Sequence, residues 1–110
     1  MNQASEIQEL SVLEHNLQGL LMQRQSIELE LSEVTTALEE LRAADGDVYR
    51  VVSSVMMRAD KPKLTEELEQ KKKLLEMRNS TVEKQQKLFE SKAEEIRRQL
   101  EESNTVNTKE

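Results

Sequence analysis

Asp45 to Asp60 reads DGDVYRVVSSVMMRAD, and the folding of this stretch decides how the rest of the chain is arranged. Val48 to Val52 and Val55 to Met57 are β-branched or apolar runs separated by Ser53-Ser54, and Asp45-Gly46-Asp47 supplies turn chemistry in front of them. The pattern predicts a β-hairpin over residues 47–59. Alternation puts Val48, Arg50 and Val52 on one face of the first strand and Tyr49 and Val51 on the other, so neither face is clearly polar. A lone two-stranded hairpin is marginal in water and has two open edges. Something else must bury it, and the most economical cover is the same kind of hairpin from another chain. Residues 45–60 read as an assembly element.

On both sides of this stretch the sequence turns helical. Leu10, Leu17, Arg24, Leu31 and Leu38 form one column with a seven-residue step, and Leu13, Leu20, Ile27, Val34 and Leu41 form its companion. Such a pattern predicts a coiled-coil helix over about residues 6–43, and the run Ile7 to Arg42 would be about 54 Å long. Gly46 is placed to stop it. After the hairpin, Asp60 is a suitable N-cap, and Pro62 falls in the first turn, where a missing N–H costs nothing. The second helix is expected over about residues 61–102. Its apolar column is Leu68, Leu75, Val82, Phe89 and Ile96, with Lys72, Asn79, Gln86, Ala93 and Leu100 beside it. Residues 103–110, SNTVNTKE, have no periodicity and are expected to fray.

Folding the helices back on each other tests the register. Leu38 with Leu68, Leu31 with Leu75, Arg24 with Val82, Leu17 with Phe89 and Leu10 with Ile96 have residue numbers that sum to one value. An antiparallel pair requires that regularity. The expected fold is therefore mainly α: a single domain in which a long antiparallel two-helix coiled coil is joined at its base by one β-hairpin. Each fully buried Leu, Ile, Val or Phe contributes about 1.5 to 3 kcal/mol, which offsets much of the ordering cost with little surplus. Assembly at the hairpin would fix the base of the pair.

Composition agrees with long solvated helices: 35% of the 110 residues are charged and 2% are aromatic. With no Cys there is no disulfide framework and no Cys-based metal site. MNQASEIQEL at the N-terminus shows no basic region followed by an apolar block, and no membrane span is visible, so an intracellular, cytoplasmic protein is expected. The net charge of -6 is uneven, because residues 1–42 hold eight acidic residues against two basic ones. An acidic surface argues against nucleic acid, and Lys71-Lys72-Lys73 lies among Glu66, Glu67, Glu69 and Glu76 as a solvated face.

Few residues suggest chemistry. His15 is the only histidine and lies outside both seam columns, so it reads as a surface residue. There is no Gly-rich phosphate loop and no nucleophile elbow, and a two-helix rod has no interior in which to desolvate an active site. No enzyme activity and no cofactor are expected. Asn79-Ser80-Thr81 matches the glycosylation sequon, but mid-helix it reads as coincidence. Met56-Met57 reads as hairpin packing rather than an adaptable binding surface. Arg24 has two readings: its stem packs in the seam while its head reaches water near Glu28 and Glu83, or it fixes register as a polar seam residue. At the open end of the helix pair Ile7, Val12, Leu21 and Leu88 lie off the seam columns. They are either ordinary scatter or part of a tip whose helices separate and offer Leu10, Leu13, Ile96 and Leu100 to an unfolded chain.

Two heptad helices flanking a V-Y-R-V-V-x-x-V-M-M-R hairpin resemble a prefoldin subunit. Ala37 to Leu68, ALEELRAADGDVYRVVSSVMMRADKPKLTEEL, resembles that family's helix end, D-x-x-VYK-type strand, short turn, second strand and TEEL-type helix start. The single hairpin and short termini resemble the β class, archaeal or eukaryotic. The resemblance implies a hexamer of α-class and β-class subunits whose hairpins form a β-barrel base and whose coiled coils hang as tentacles. It further implies ATP-independent capture of unfolded proteins at the tips and delivery to a group II chaperonin. On this sequence the base would use Val48, Tyr49, Val51, Val52, Val55, Met56 and Met57, and the client surface Ile7, Leu10, Leu13, Ile96 and Leu100. Ser53-Ser54 departs from the family's usual Gly in the turn. The competing reading is a coiled-coil scaffold or adaptor whose hairpin tethers one fixed partner, and an enzymatic alternative makes the chain an arm of a larger catalytic complex. Suppression of light scattering from a diluted denatured protein without ATP separates a chaperone from a scaffold.

Overall fold

The computed structural model describes residues 3–109, with side chains described through Ser103. The element order is α1 (Gln3–Ala43), β1 (Val48–Val52), β2 (Val55–Ala59) and α2 (Lys61–Lys109). The hairpin and the two flanking helices expected from the sequence are all present. The C-terminal end differs, because α2 continues through Lys109 instead of stopping near residue 102. Residues 103–109 contain neither Gly nor Pro, and extending a formed helix adds one backbone hydrogen bond per residue fixed. Loss of the apolar period there removes a packing partner without removing the helix.

The chain divides into two compact units, residues 26–79 and residues 1–25 with 80–110. In the first, Ile27, Val34, Leu38, Leu41 and Leu75 are buried, while Leu31, Leu64 and Leu68 are half-buried. Lys71 Nζ lies 3.1 Å from Glu30 Oε1, and Arg42 Nη2 lies 3.4 Å from Glu69 Oε1, so α1 and α2 are laced at their edges. In the second unit Leu13, Ala93 and Ile96 form a buried cluster with Leu10, Leu17, Phe89 and Leu100 packed against it. Ala93 is fully buried, and its small side chain lets the layer close around it. Gln3 Nε2 donates to Ser103 Oγ at 3.0 Å, a pair whose residue numbers have the same sum as the layers expected from the sequence.

Short polar contacts set the junctions. The Asp60 carbonyl accepts from Leu64 N–H at 2.9 Å, as an N-cap residue's carbonyl does. Lys61 Nζ donates to the Ala44 carbonyl at 2.7 Å and so places a cation on the C-terminal end of α1. Gly46 has φ +92°, where a side chain would be strained, and it turns the chain into β1.

Candidate functional site

β1 and β2 pair antiparallel in the register Val48 with Ala59, Tyr49 with Arg58, Arg50 with Met57, Val51 with Met56 and Val52 with Val55. Because side chains alternate, one face carries Val48, Arg50, Val52, Val55, Met57 and Ala59, and the other carries Tyr49, Val51, Met56 and Arg58. The loop is only Ser53-Ser54, and both residues have positive φ, 49° and 68°. Those signs at both central positions define a type I′ turn, whose twist matches that of the strands. Serine pays for this conformation, which costs an L-residue roughly 1–2 kcal/mol. The turn therefore adopts a glycine-favouring geometry without glycine.

The hairpin is anchored at its root and bare elsewhere. Asp47 Oδ1 accepts from Arg58 Nη2 at 2.7 Å, and Arg50 Nη1 donates to Glu67 Oε2 on α2 at 3.3 Å. Only Val48 and Ala59 are half-buried. Tyr49, Val51, Val52, Val55, Met56 and Met57 are all exposed, and the directly opposed pair Val51 and Met56 are 68% and 69% exposed. Apolar side chains thus stand on both faces of a two-stranded sheet with two unpaired edges. Water is a poor medium for such an element. At its root a cleft of about 290 Å³ is lined by Ala37, Leu41, Val48, Tyr49, Leu64 and Leu68, among others, and is large enough for a side chain from outside.

At the other candidate site the structure brings four of the five expected client residues together in the seam. Leu13 and Ile96 are buried, with Leu10 and Leu100 half-buried against them. Ile7 stands apart from them and is exposed. Leu13 and Ile96 are thus covered by the helix pair, while Leu10 and Leu100 keep part of their surface open. Sequence columns gave no separate weight to Met22, Leu29, Leu74 and Met77, all of which are exposed. Val12, Leu21 and Leu88, which lie off the columns, are exposed as well.

Arg24 is half-buried, with Nη2 2.6 Å from Glu83 Oε1 and Nη1 donating to Gln86 Oε1 at 3.3 Å. His15 is exposed. Asn79 lies within α2, half-buried, with its Oδ1 buried and without a hydrogen-bond partner. Among the described residues no group of three or more His, Cys, Asp or Glu is placed to hold a metal ion, and no helix is long and apolar enough to cross a membrane.

Comparison with known proteins agrees with this architecture. The family model described as Prefoldin subunit matches residues 4–105. A prefoldin subunit beta of Thermoplasma acidophilum is 41% identical over 98 residues, covering 86% of this chain and 77% of that protein. A prefoldin subunit beta of Saccharolobus islandicus strain L.S.2.15 is 34% identical over 92 residues, covering 82% of this chain and 73% of that protein. The crystal structure of the prefoldin beta subunit from Thermococcus strain KS-1 is similar at a TM-score of 0.83 and 29% identity, covering 91% of this chain and 90% of that one. With its helix, apolar hairpin and helix in that order and a match across residues 4–105, the chain belongs to the prefoldin subunit family, whose members are non-enzymatic chaperone subunits that assemble with one another.

Proposed function

We propose that the chain is a β-class subunit of a cytoplasmic hetero-hexamer, built with α-class subunits and further β-class copies, that captures unfolded proteins without ATP and delivers them to a group II chaperonin. The observation that carries this reading is the hairpin, with Val51 and Met56 opposed and both about two-thirds exposed. Pairing its open edges with neighbouring hairpins closes a barrel, which removes the edges and buries apolar groups worth about 1.5 to 3 kcal/mol each. Val48, Tyr49, Val51, Val52, Val55, Met56 and Met57 form the contacts of that base. Clients meet Ile7 directly and reach Leu10, Leu13, Ile96 and Leu100 where the helix pair opens. Each contact is weak, and repetition across subunits supplies the affinity.

The test is the mass of the purified chain by light scattering after size exclusion, alone and mixed with an α-class subunit. A hexamer-sized species is expected on mixing, lost when Val51 and Met56 are both replaced by Lys, with helical circular dichroism retained. The hexamer is also expected to suppress scattering from a diluted denatured protein without ATP. A monomer or dimer that ignores both the partner and the substitutions would instead favour a scaffold with a fixed partner.

A further inference from the structure

The chain has five methionines and no cysteine, so thioethers are the side chains that a peroxide oxidises most readily here. Met22, Met56, Met57 and Met77 lie among the described residues. Met22 on α1 and Met77 on α2 are 67% and 68% exposed, and Met56 in β2 matches them at 69%. Solvent access alone therefore does not set the hairpin apart. What differs is the setting of the side chain. Met22 and Met77 fall outside the seam columns and are still in water once the helices have paired, whereas Met56 belongs to a bare two-stranded sheet that neighbours must cover.

The two faces of the hairpin differ in how they receive a polar group. Met57 lies directly opposite Arg50, which puts a guanidinium in the middle of that face and donates at 3.3 Å to Glu67 of α2. Cross-strand partners stand about 5 Å apart at Cβ, so an oxygen added to Met57 lies beside an N–H donor. Met56 lies opposite Val51, and neither side chain offers a hydrogen to donate. The donors on its face, Tyr49 and Arg58, are paired with each other at the root end, and Arg58 Nη2 is held 2.7 Å from Asp47 Oδ1. The Val51 and Met56 pair is thus the part of the hairpin fit for full burial and the part least able to satisfy a new acceptor.

A peroxide supplies such an acceptor. A sulfur lone pair attacks the O–O bond, an S–O bond forms, and the second oxygen leaves as water; sulfur loses two electrons and the peroxide gains them. The product is a polar sulfoxide in place of a flexible apolar group. Reduction by a dithiol removes the oxygen as water and leaves a disulfide on the reductant. In the unassembled chain the sulfoxide is hydrated. Against the apolar face of a neighbouring hairpin that hydration is lost with nothing to replace it.

We propose that Met56 is an oxidative modification site, on which hydrogen peroxide forms a sulfoxide that keeps the unassembled chain out of the complex and from which thiol-dependent reduction releases it. The proposal rests on the hairpin assembly reading above and adds a chemical control that acts on the free chain and is shielded in the assembled one.

The test treats the free full-length chain with hydrogen peroxide, quenches it, and mixes it with an untreated α-class subunit, reading mass by light scattering. Oxidation is expected to raise the concentration needed for the hexamer-sized species by about tenfold or more. Methionine sulfoxide reductases for both epimers, with dithiothreitol, are expected to reverse the shift. Each variant is compared with its own untreated form: Met56→Leu is expected to remove most of the shift, and Met22→Leu with Met77→Leu to keep it. In the preformed complex, peptide mass spectrometry is expected to show Met56 oxidised several-fold more slowly than Met22 and Met77. Assembly of the Met56 sulfoxide chain at the untreated concentration, a full shift in the Met56→Leu chain, or a Met56 that stays reduced in the free chain while Met22 and Met77 react would each overturn the proposal and leave the assembly reading standing. An untreated chain that forms no complex with the α-class subunit removes both together.

Discussion

Arg24 of α1 places Nη2 2.6 Å from Glu83 Oε1 of α2, so a cation in the apolar seam column is matched by an acid on the facing helix. The two side chains are 33% and 38% exposed, which puts the pair in the range of solvent-screened bridges worth about 0–1 kcal/mol. Arg24→Leu exchanges that modest pairing for apolar burial and is expected to raise the unfolding midpoint, by about 1 kcal/mol in stability. A double-mutant cycle of Arg24→Ala and Glu83→Ala in urea is expected to show coupling of roughly 0.5 kcal/mol that shrinks with added salt. A salt-independent coupling several times larger would contradict the screened reading and favour a register role.

Asn79 buries Oδ1 without a partner, and an unsatisfied buried acceptor costs roughly 1–3 kcal/mol. Asn79→Leu is therefore expected to stabilise the chain by about 1–2 kcal/mol in urea denaturation. Asn79→Asp, which puts a charge in the same place, is expected to lower the midpoint. Destabilisation by Leu would mean that the amide group contributes an interaction the seam needs.

Ser53 and Ser54 both occupy the left-handed region. Asn-Gly is the sequence best suited to that geometry, so Ser53→Asn with Ser54→Gly is expected to stabilise the hairpin by about 1 kcal/mol and to raise the thermal midpoint of the assembly. Ser53→Val, with a branched side chain at positive φ, is expected to lower it. Equal midpoints for the three chains would show that the turn is not held in this conformation in solution.

Lys61 Nζ is bonded to the Ala44 carbonyl at 2.7 Å across the hairpin root. Lys61→Met keeps the stem and removes both the donor and the charge at the end of α1, at an expected cost of about 0.5–1 kcal/mol. Lys61→Arg is expected to recover most of it. Hydrogen exchange at the amides of residues 41–48 locates the effect, and an unchanged pattern there in the Met variant would count against a capping role.

The helices and their register were legible because a seven-residue period is read along a single chain and an antiparallel fold pairs it by arithmetic. All five residues of the column from Leu13 to Leu41 are buried. The turn was legible as a turn, but the φ values of Ser53 and Ser54 were not, since serine prefers the other sign and only strand pairing forces this one. The end of α2 was misplaced because periodicity reports what a helix packs on, whereas helix formation needs only backbone bonds and no breaker. At the candidate client site, seam and surface competed for the same letters. Leu13 and Ile96 are apolar because the seam needs them, and nothing in the sequence separates that demand from a client's. Met22 and Leu29 fall on outward columns where a lone apolar residue looks like scatter, and only the folded pair shows which side they stand on.

The bare hairpin bears on how the cell must supply this chain. With apolar groups on both faces and two unpaired edges, a newly made copy carries a self-templating tape until neighbours cover it. Synthesis in step with its companions is then expected to favour solubility, and a surplus of orphan chains is expected to aggregate in proportion to its concentration. Overproduction alone is expected to leave a larger insoluble fraction than co-production with an α-class subunit, and Val51→Lys is expected to abolish the difference by making the orphan harmless.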